Sequence, residues 1–156
     1  MVWGKAGTTT LGSASATIDV SSLTDNKFLM ALTHKISGGD SVVRYRLNSD
    51  TGSNYARRYS ENGGSDGTST SSTFIASGYG YDGFGINYIV NISSEEKLLI
   101  YDDVDSNTAG AGNAPNRVEE VAKWVNTSEV IDEINIVNGG ADNFATDSNI
   151  TVLGTD

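Results

Sequence analysis

The sequence consists almost entirely of short runs of β-branched and aromatic residues, separated by clusters of glycine, asparagine, aspartate and serine. Apolar and polar residues alternating with a period of two are typical of strands that bury one face. The turn clusters recur roughly every 8 to 12 residues, which is the spacing of turns in β sandwiches and barrels. With 18 glycines and one proline, the turns use residues that tolerate positive φ. The pattern predicts an all-β fold: an antiparallel two-sheet sandwich, jelly-roll-like, with nine or ten strands.

Two early runs, residues 28–36 and 42–47, flank a glycine-containing turn and predict a hairpin. In the first run Phe28, Met30 and Leu32 form the alternate set that could face a core. Residues 84–92 give the clearest strand pattern of the chain, and we expect this strand near the centre of a sheet.

Three later segments leave more than one interpretation open. The run 97–101 has too many consecutive apolar residues for a strand with one wet face, which predicts burial on both faces or a position at an interface. Residues 102–115 read as a long loop. A strand is predicted over residues 121–125, with a helical turn over 117–121 as the competing interpretation.

A chain of 156 residues can bury about 70% of its unfolded surface, which suffices for one core without disulfides or metals. No repeat or linker divides it, so residues 1–156 are predicted to form a single β-sandwich domain. The first residues lack the pattern of a signal peptide, and no run approaches the roughly 20 apolar residues that span a bilayer. We therefore expect no export by that route and no membrane insertion.

The formal net charge of -10 generates a field that repels phosphate backbones and anionic lipid heads. Binding to nucleic acid is therefore not expected. An acidic surface of this kind also fits a protein adapted to high salt, which concerns environment rather than activity.

Catalytic machinery is not recognisable in the sequence. Cysteine is absent and His34, the single histidine, lies inside a strand-like run, so we expect no nucleophile triad and no nitrogen or sulfur metal site. Carboxylates are plentiful, but a glycosidase pair needs a cleft and a raised pKa. We expect a protein that is not an enzyme and needs no cofactor.

The segment containing Asp103, Asp105 and Asn107 places oxygen side chains at alternate positions, as in loops that wrap calcium. It departs from an EF-hand loop at Thr108, where glycine is needed, and at Ala114, where a bidentate glutamate is needed. The segment is a calcium candidate, with a solvated acidic loop as the alternative.

Tyr79 and Tyr81 are flanked by glycines in a loop-like segment, where rings are hard to bury. Such tyrosines suit a protein interface or stacking on a sugar ring. Arg57 and Arg58 alternate with tyrosines in a strand-like run. They are either salt-bridged positions on a sheet or part of a surface that contacts a partner.

The second half of the chain carries a set of spaced motifs. Residues 123–128 read Lys-Trp-Val-Asn-Thr-Ser, isoleucines follow at Ile131, Ile134 and Ile136, and residues 147–154 close with Asp-Ser-Asn-Ile-Thr-Val-Leu-Gly. These motifs resemble those of jelly-roll structural proteins of tailed phages and archaeal tailed viruses, which decorate capsids or form tail and fibre parts. The sequence departs from their pattern at residues 122, 123 and 147.

The resemblance implies a virion protein without a reaction of its own, located in the virion and bound to other virion proteins such as the major capsid protein. It also implies homo-oligomers, a trimer among them. The alternative from the residues themselves is a carbohydrate-binding, lectin-like module for attachment to a host receptor, assisted by calcium.

Overall fold

The computed structural model describes residues 2–156, which form eleven strands. In chain order they are β1 (Gly4–Thr10), β2 (Thr17–Val20), β3 (Phe28–Lys35), β4 (Val43–Leu47), β5 (Tyr55–Glu61), β6 (Gly67–Ser72), β7 (Gly83–Val90), β8 (Lys97–Asp105), β9 (Asn116–Trp124), β10 (Ile134–Asn138) and β11 (Asn149–Thr155). Within the described residues no helix is long and apolar enough to cross a membrane.

The strands form two sheets of unequal size. The large sheet has eight strands in the order β1-β11-β3-β7-β8-β9-β5-β6, and the small sheet has three in the order β2-β10-β4. Every strand pair is antiparallel. The architecture is therefore the predicted antiparallel, jelly-roll-like sandwich.

The core lies between the small sheet and one face of the large sheet. Tyr45 on β4 and Tyr101 on β8 meet edge to face across the two layers, with ring centroids 5.6 Å apart. Trp124 at the end of β9 is fully buried, stacks on Tyr55 and donates its indole N–H to Asp50 at 2.7 Å. These rings join the layers, because aromatic side chains bury a large area at once.

Three predictions about the early strands are wrong. Residues 2–156 form eleven strands rather than nine or ten, since the prediction missed β1, which is rich in glycine and threonine and carries no apolar alternation. The segments predicted as a hairpin lie in different sheets: β3 pairs with β11 and β7, whereas β4 pairs with β10. Finally, Phe28, Met30 and Leu32 face away from the core, which β3 instead lines with residues such as Leu29 and Ala31.

The later strands follow their predictions more closely. Strand β7 is central, and residues 121–125 lie in or next to a strand rather than a helix. The loop predicted over 102–115 is wrong at its start, because β8 continues through Asp105. The error arose because the aspartates of this segment were read as turn residues, although two of them are buried.

Candidate functional site

The outer face of the large sheet, meaning the face turned away from the small sheet, carries a continuous apolar row. Strand register places Met30, Tyr88, Ile100 and Val121 side by side on β3, β7, β8 and β9. Leu153 on β11 extends the row by one strand. Five neighbouring strands thus present apolar side chains at the same level of the sheet.

Several of these side chains are open to solvent. Leu98, Ile100 and Val121 are 57%, 54% and 52% exposed. Tyr88 and Phe84 on β7 are each 42% exposed. Because monomeric proteins seldom leave large contiguous apolar patches uncovered, this face has the character of an interaction surface.

A groove of about 910 Å³ follows this face. Its apolar wall includes Trp3, Phe28, Tyr88 and Leu98, and Lys123 lies at its border. Because of the groove the face is not flat, so a partner can be complementary to its shape as well as to its apolar character.

The cations around this face are paired with carboxylates. Lys123 contacts Glu96 at 2.7 Å, and Arg117 contacts Glu119 at 3.4 Å. Arg58 contacts Asp66, also at 3.4 Å. Asp102 on β8 also lies on this face and belongs to none of these pairs. The three cations and four carboxylates therefore sum to a charge of -1, against -10 for the whole chain.

The opposite face of the same strands contains a buried polar cluster. Strand β7 contributes Gly83 and Gly85 to this face, each between a residue of β3 and a residue of β8. Lys35 and Asp105 meet over Gly83, with Lys35 Nζ 2.8 Å from Asp105 Oδ1. A Cβ atom on Gly83 would collide with Asp105 Oδ1, so the glycine is what allows the two side chains to meet.

Asp103 precedes Asp105 by two residues on β8 and pairs with Gly85 of β7. Its Oδ2 atom has no hydrogen-bond partner, and the residue is 6% exposed. Burial, together with the neighbouring Asp105 carboxylate, raises the pKa of Asp103 to about 7. At neutral pH this group is poised between the acid and the carboxylate.

The four predicted interface or glycan residues do not form one surface. Arg57 points inward and donates to Glu120 at 3.0 Å, whereas Arg58 lies on the outer face. The Tyr79 hydroxyl accepts a hydrogen bond from Asn62 at 3.0 Å, and Tyr81 is exposed. Both arginines have carboxylate partners, Glu120 for Arg57 and Asp66 for Arg58, and a partner-contacting surface stays a prediction.

The predicted calcium residues do not converge. Asp103 and Asp105 point into the core, where the ammonium of Lys35 already occupies one oxygen of Asp105. Asn107 lies in the following loop and donates to the Ala114 carbonyl. Within residues 2–156 no group of three or more acidic or histidine side chains is placed to hold a metal ion. The structure gives the calcium candidate no support.

Other polar residues line a crevice of about 490 Å³ beside that loop. Asn62, Asn113, Asn116 and Arg117 are among them. Asn62 also binds the Tyr79 hydroxyl, so one of the predicted tyrosines borders the crevice. The sequence analysis missed the asparagines because they read as ordinary turn residues.

Sequence reasoning also missed Lys35, whose position in an apolar run gave no sign of a carboxylate partner. For residues 97–101 the prediction of burial on both faces is wrong, because Leu98 and Ile100 point outward and are exposed while Leu99 is buried. The alternative, a position at an interface, stays a prediction.

No protein-family model and no curated protein matches this chain in sequence. Among solved structures the chain is similar to one described as the crystal structure of HCR/D-Sa-GBL1/C, with 12% identity and a TM-score of 0.25. The similarity covers 96% of this chain and 42% of that chain, so this chain spans less than half of that protein's length. At this TM-score the likeness carries no argument about function.

Proposed function

We propose that this protein is a non-enzymatic structural subunit of a virion, which assembles with further copies of itself through the outer face of its large sheet. The observation that carries the proposal is the exposed apolar row of β3, β7, β8 and β9. Its location on a particle, in contact with proteins such as the major capsid protein, is supported by the motifs of residues 117–156.

A second copy is the occupant that the charges favour. A chain with a net charge of -10 repels its own copies through most of its surface. The outer face carries much less of this charge, because Lys123, Arg58 and Arg117 offset all of its carboxylates except Asp102. Two copies can therefore approach each other through this face with little repulsion.

The area of the face is also sufficient. Five strands spaced about 4.8 Å apart, with four levels of side chains, cover roughly 500 Å² on each copy. Two such faces bury about 1,000 Å² in total, the size at which specific interfaces begin.

Replacing Ile100 by glutamate places an unpaired charge at the centre of the face. We expect self-association to weaken by roughly 100-fold or more, because burying that charge costs about 3 kcal/mol or more. Sedimentation velocity across a concentration series measures the effect. Thr17→Glu adds the same charge on exposed strand β2 of the small sheet and serves as the control, with association unchanged. A wild-type chain that stays monomeric throughout would overturn assembly through this face.

The virion assignment has its own test in the genome that encodes the chain. Neighbouring genes for a major capsid protein, a portal and a terminase are expected. Neighbours of purely metabolic function would count against it.

The crevice beside Tyr79 supports a second candidate, carbohydrate binding, because amide and guanidinium groups next to an aromatic ring suit sugar hydroxyls. We expect Asn116→Ala and Tyr79→Ala to abolish any signal on a glycan array, with Thr17→Ala as control. The array is run with and without calcium. A blank array in both conditions removes this candidate.

A further inference from the structure

We propose that Lys35 and Asp105 condense into an intramolecular isopeptide bond, with Asp103 carrying the proton. The bond would join β3 to β8 across β7. The proposal is independent of self-assembly, since all three side chains lie on the opposite, core-facing side of the sheet.

The two reacting groups are in contact and sealed from solvent. Lys35 Nζ lies 2.8 Å from Asp105 Oδ1, and the two side chains are 2% and 0% exposed. A buried ion pair is costly to form, so retaining one in a core calls for a reason. Amide formation releases water, and a site that excludes water favours the condensed product over hydrolysis.

The surrounding groups fit an acyl transfer. The Tyr79 backbone N–H donates to Asp105 Oδ2 at 2.8 Å, where it can stabilise the negative oxygen of a tetrahedral intermediate. The Tyr79 carbonyl accepts a hydrogen bond from Lys35 Nζ, which fixes the amine beside the carboxyl carbon. One residue thus orients both partners.

Asp103 stands beside the Asp105 carboxyl as a proton carrier. A Cβ atom on Gly78 would lie 2.5 Å from Asp103 Oδ2 and 3.5 Å from Asp105 Oδ2, so both oxygens face the same point. Asp103 Oδ2 has no other partner. Because burial raises its pKa to about 7, Asp103 can hold a proton at neutral pH and also release it.

The reaction balances without an oxidant or a further reactant. The Lys35 ammonium passes one proton directly to Asp105 Oδ1, 2.8 Å away, leaving a neutral amine and a neutral acid. The amine lone pair forms the N–C bond at Asp105 Cγ, and the C=O electrons move to Oδ2, which the Tyr79 N–H holds and Asp103 protonates. The nitrogen then gives a proton to the Oδ1 hydroxyl, the bond from Cγ to Oδ1 breaks and water leaves, and Asp103 takes its proton back from Oδ2 as the C=O bond forms again. An ammonium and a carboxylate become one amide and one water, and Asp103 ends protonated as it began.

The test is the intact mass of the full folded chain. We expect a mass lower than that of the sequence by one water, and a protease digest with a branched peptide that joins Lys35 to Asp105. A wild-type mass equal to the sequence mass overturns the proposal. A dehydrated but linear peptide, such as a succinimide at Asp82 next to Gly83, overturns it as well.

Variants separate the chemistry from folding. Lys35→Arg keeps the buried cation but lacks a competent amine, so we expect the full sequence mass in a folded protein. Asp103→Asn removes the proton carrier, and we expect the condensation to slow by at least tenfold. Lys97 is also fully buried, but its ammonium donates to two backbone carbonyls and lies over the Trp124 ring instead of pairing with a carboxylate, so Lys97→Arg serves as the control and keeps the mass loss. Mass loss that persists in Lys35→Arg contradicts the proposal.

Discussion

Between about pH 5 and pH 8 the wild-type protein is expected to lose roughly 2 to 3 kcal/mol of unfolding free energy through Asp103, a loss that Asp103→Asn removes. Burial raises the pKa of Asp103 to about 7 in the folded chain, from the ordinary aspartate value of 3.8. The folded state therefore binds more protons than the unfolded state in this range. Stability is fully present below the unfolded pKa and is lost as the pH rises through the folded pKa.

The groups that face Asp103 set the direction of this effect. Burial is the largest cause, and the Asp105 carboxylate adds to it, whereas the Lys35 ammonium opposes it. Tyr45 and Tyr101 also lie close by and stay neutral in this range, because burial raises the pKa of both. Since burial dominates, the direction holds whether Lys35 and Asp105 form an ion pair or an amide.

Chemical denaturation at a series of pH values measures this slope. The comparison concerns the slope alone, so a constant loss of stability in Asp103→Asn does not affect it. Asp102→Asn is the control, because Asp102 lies on the same strand with its side chain on the exposed face. Equal slopes in wild type and Asp103→Asn would contradict the account of this cluster.

Trp124→Ala is expected to lower the unfolding free energy by about 3 to 5 kcal/mol, the range for removing a large aromatic side chain from a core. The ring is 1% exposed and stacks on Tyr55 with centroids 6.4 Å apart. The substitution also removes the indole donor from Asp50, a partly buried carboxylate that keeps its hydrogen bonds from Gly52 and Asn54. Urea unfolding followed by circular dichroism measures the loss.

Two further variants divide the effect of Trp124. Trp124→Phe keeps an aromatic ring but loses the hydrogen bond to Asp50, so we expect a smaller loss of about 1 to 2 kcal/mol. Val121→Ala on the exposed face of the same strand should change monomer stability by about 0.5 kcal/mol or less. If Val121→Ala lowered the unfolding free energy as much as Trp124→Ala, the face of β9 that carries Val121 would be the one packed in the core.

The sequence predicted strands well but did not settle which face of each strand is buried. Strand β7 illustrates the reason. Its outward set contains Phe84 and Tyr88, whereas its buried set contains Gly85 and Asn87. Apolar residues were expected to face the core, yet here they line a second surface. Alternation in the sequence assigns residues to the two faces of a strand. When both faces carry apolar residues, alternation does not show which face packs against the core and which stays exposed.

The buried cluster was out of reach for a different reason. Lys35 and Asp105 are far apart in the chain and meet only because β7 lies between their strands and carries a glycine at that level. Strand order and register decide the contact, and neither can be read from alternation. Their alternation in the sequence singles out Asp103 and Asp105 as a calcium candidate, but it gives no sign that Lys35 lies against Asp105.

The absence of cysteine allows a direct test of assembly through the outer face, because a single introduced thiol reports its own surroundings. Ile100→Cys and Thr17→Cys are each labelled with a maleimide across a range of protein concentrations. The account predicts that labelling at position 100 slows as concentration rises, while labelling at position 17 stays constant. Equal labelling rates at both positions at every concentration would contradict it.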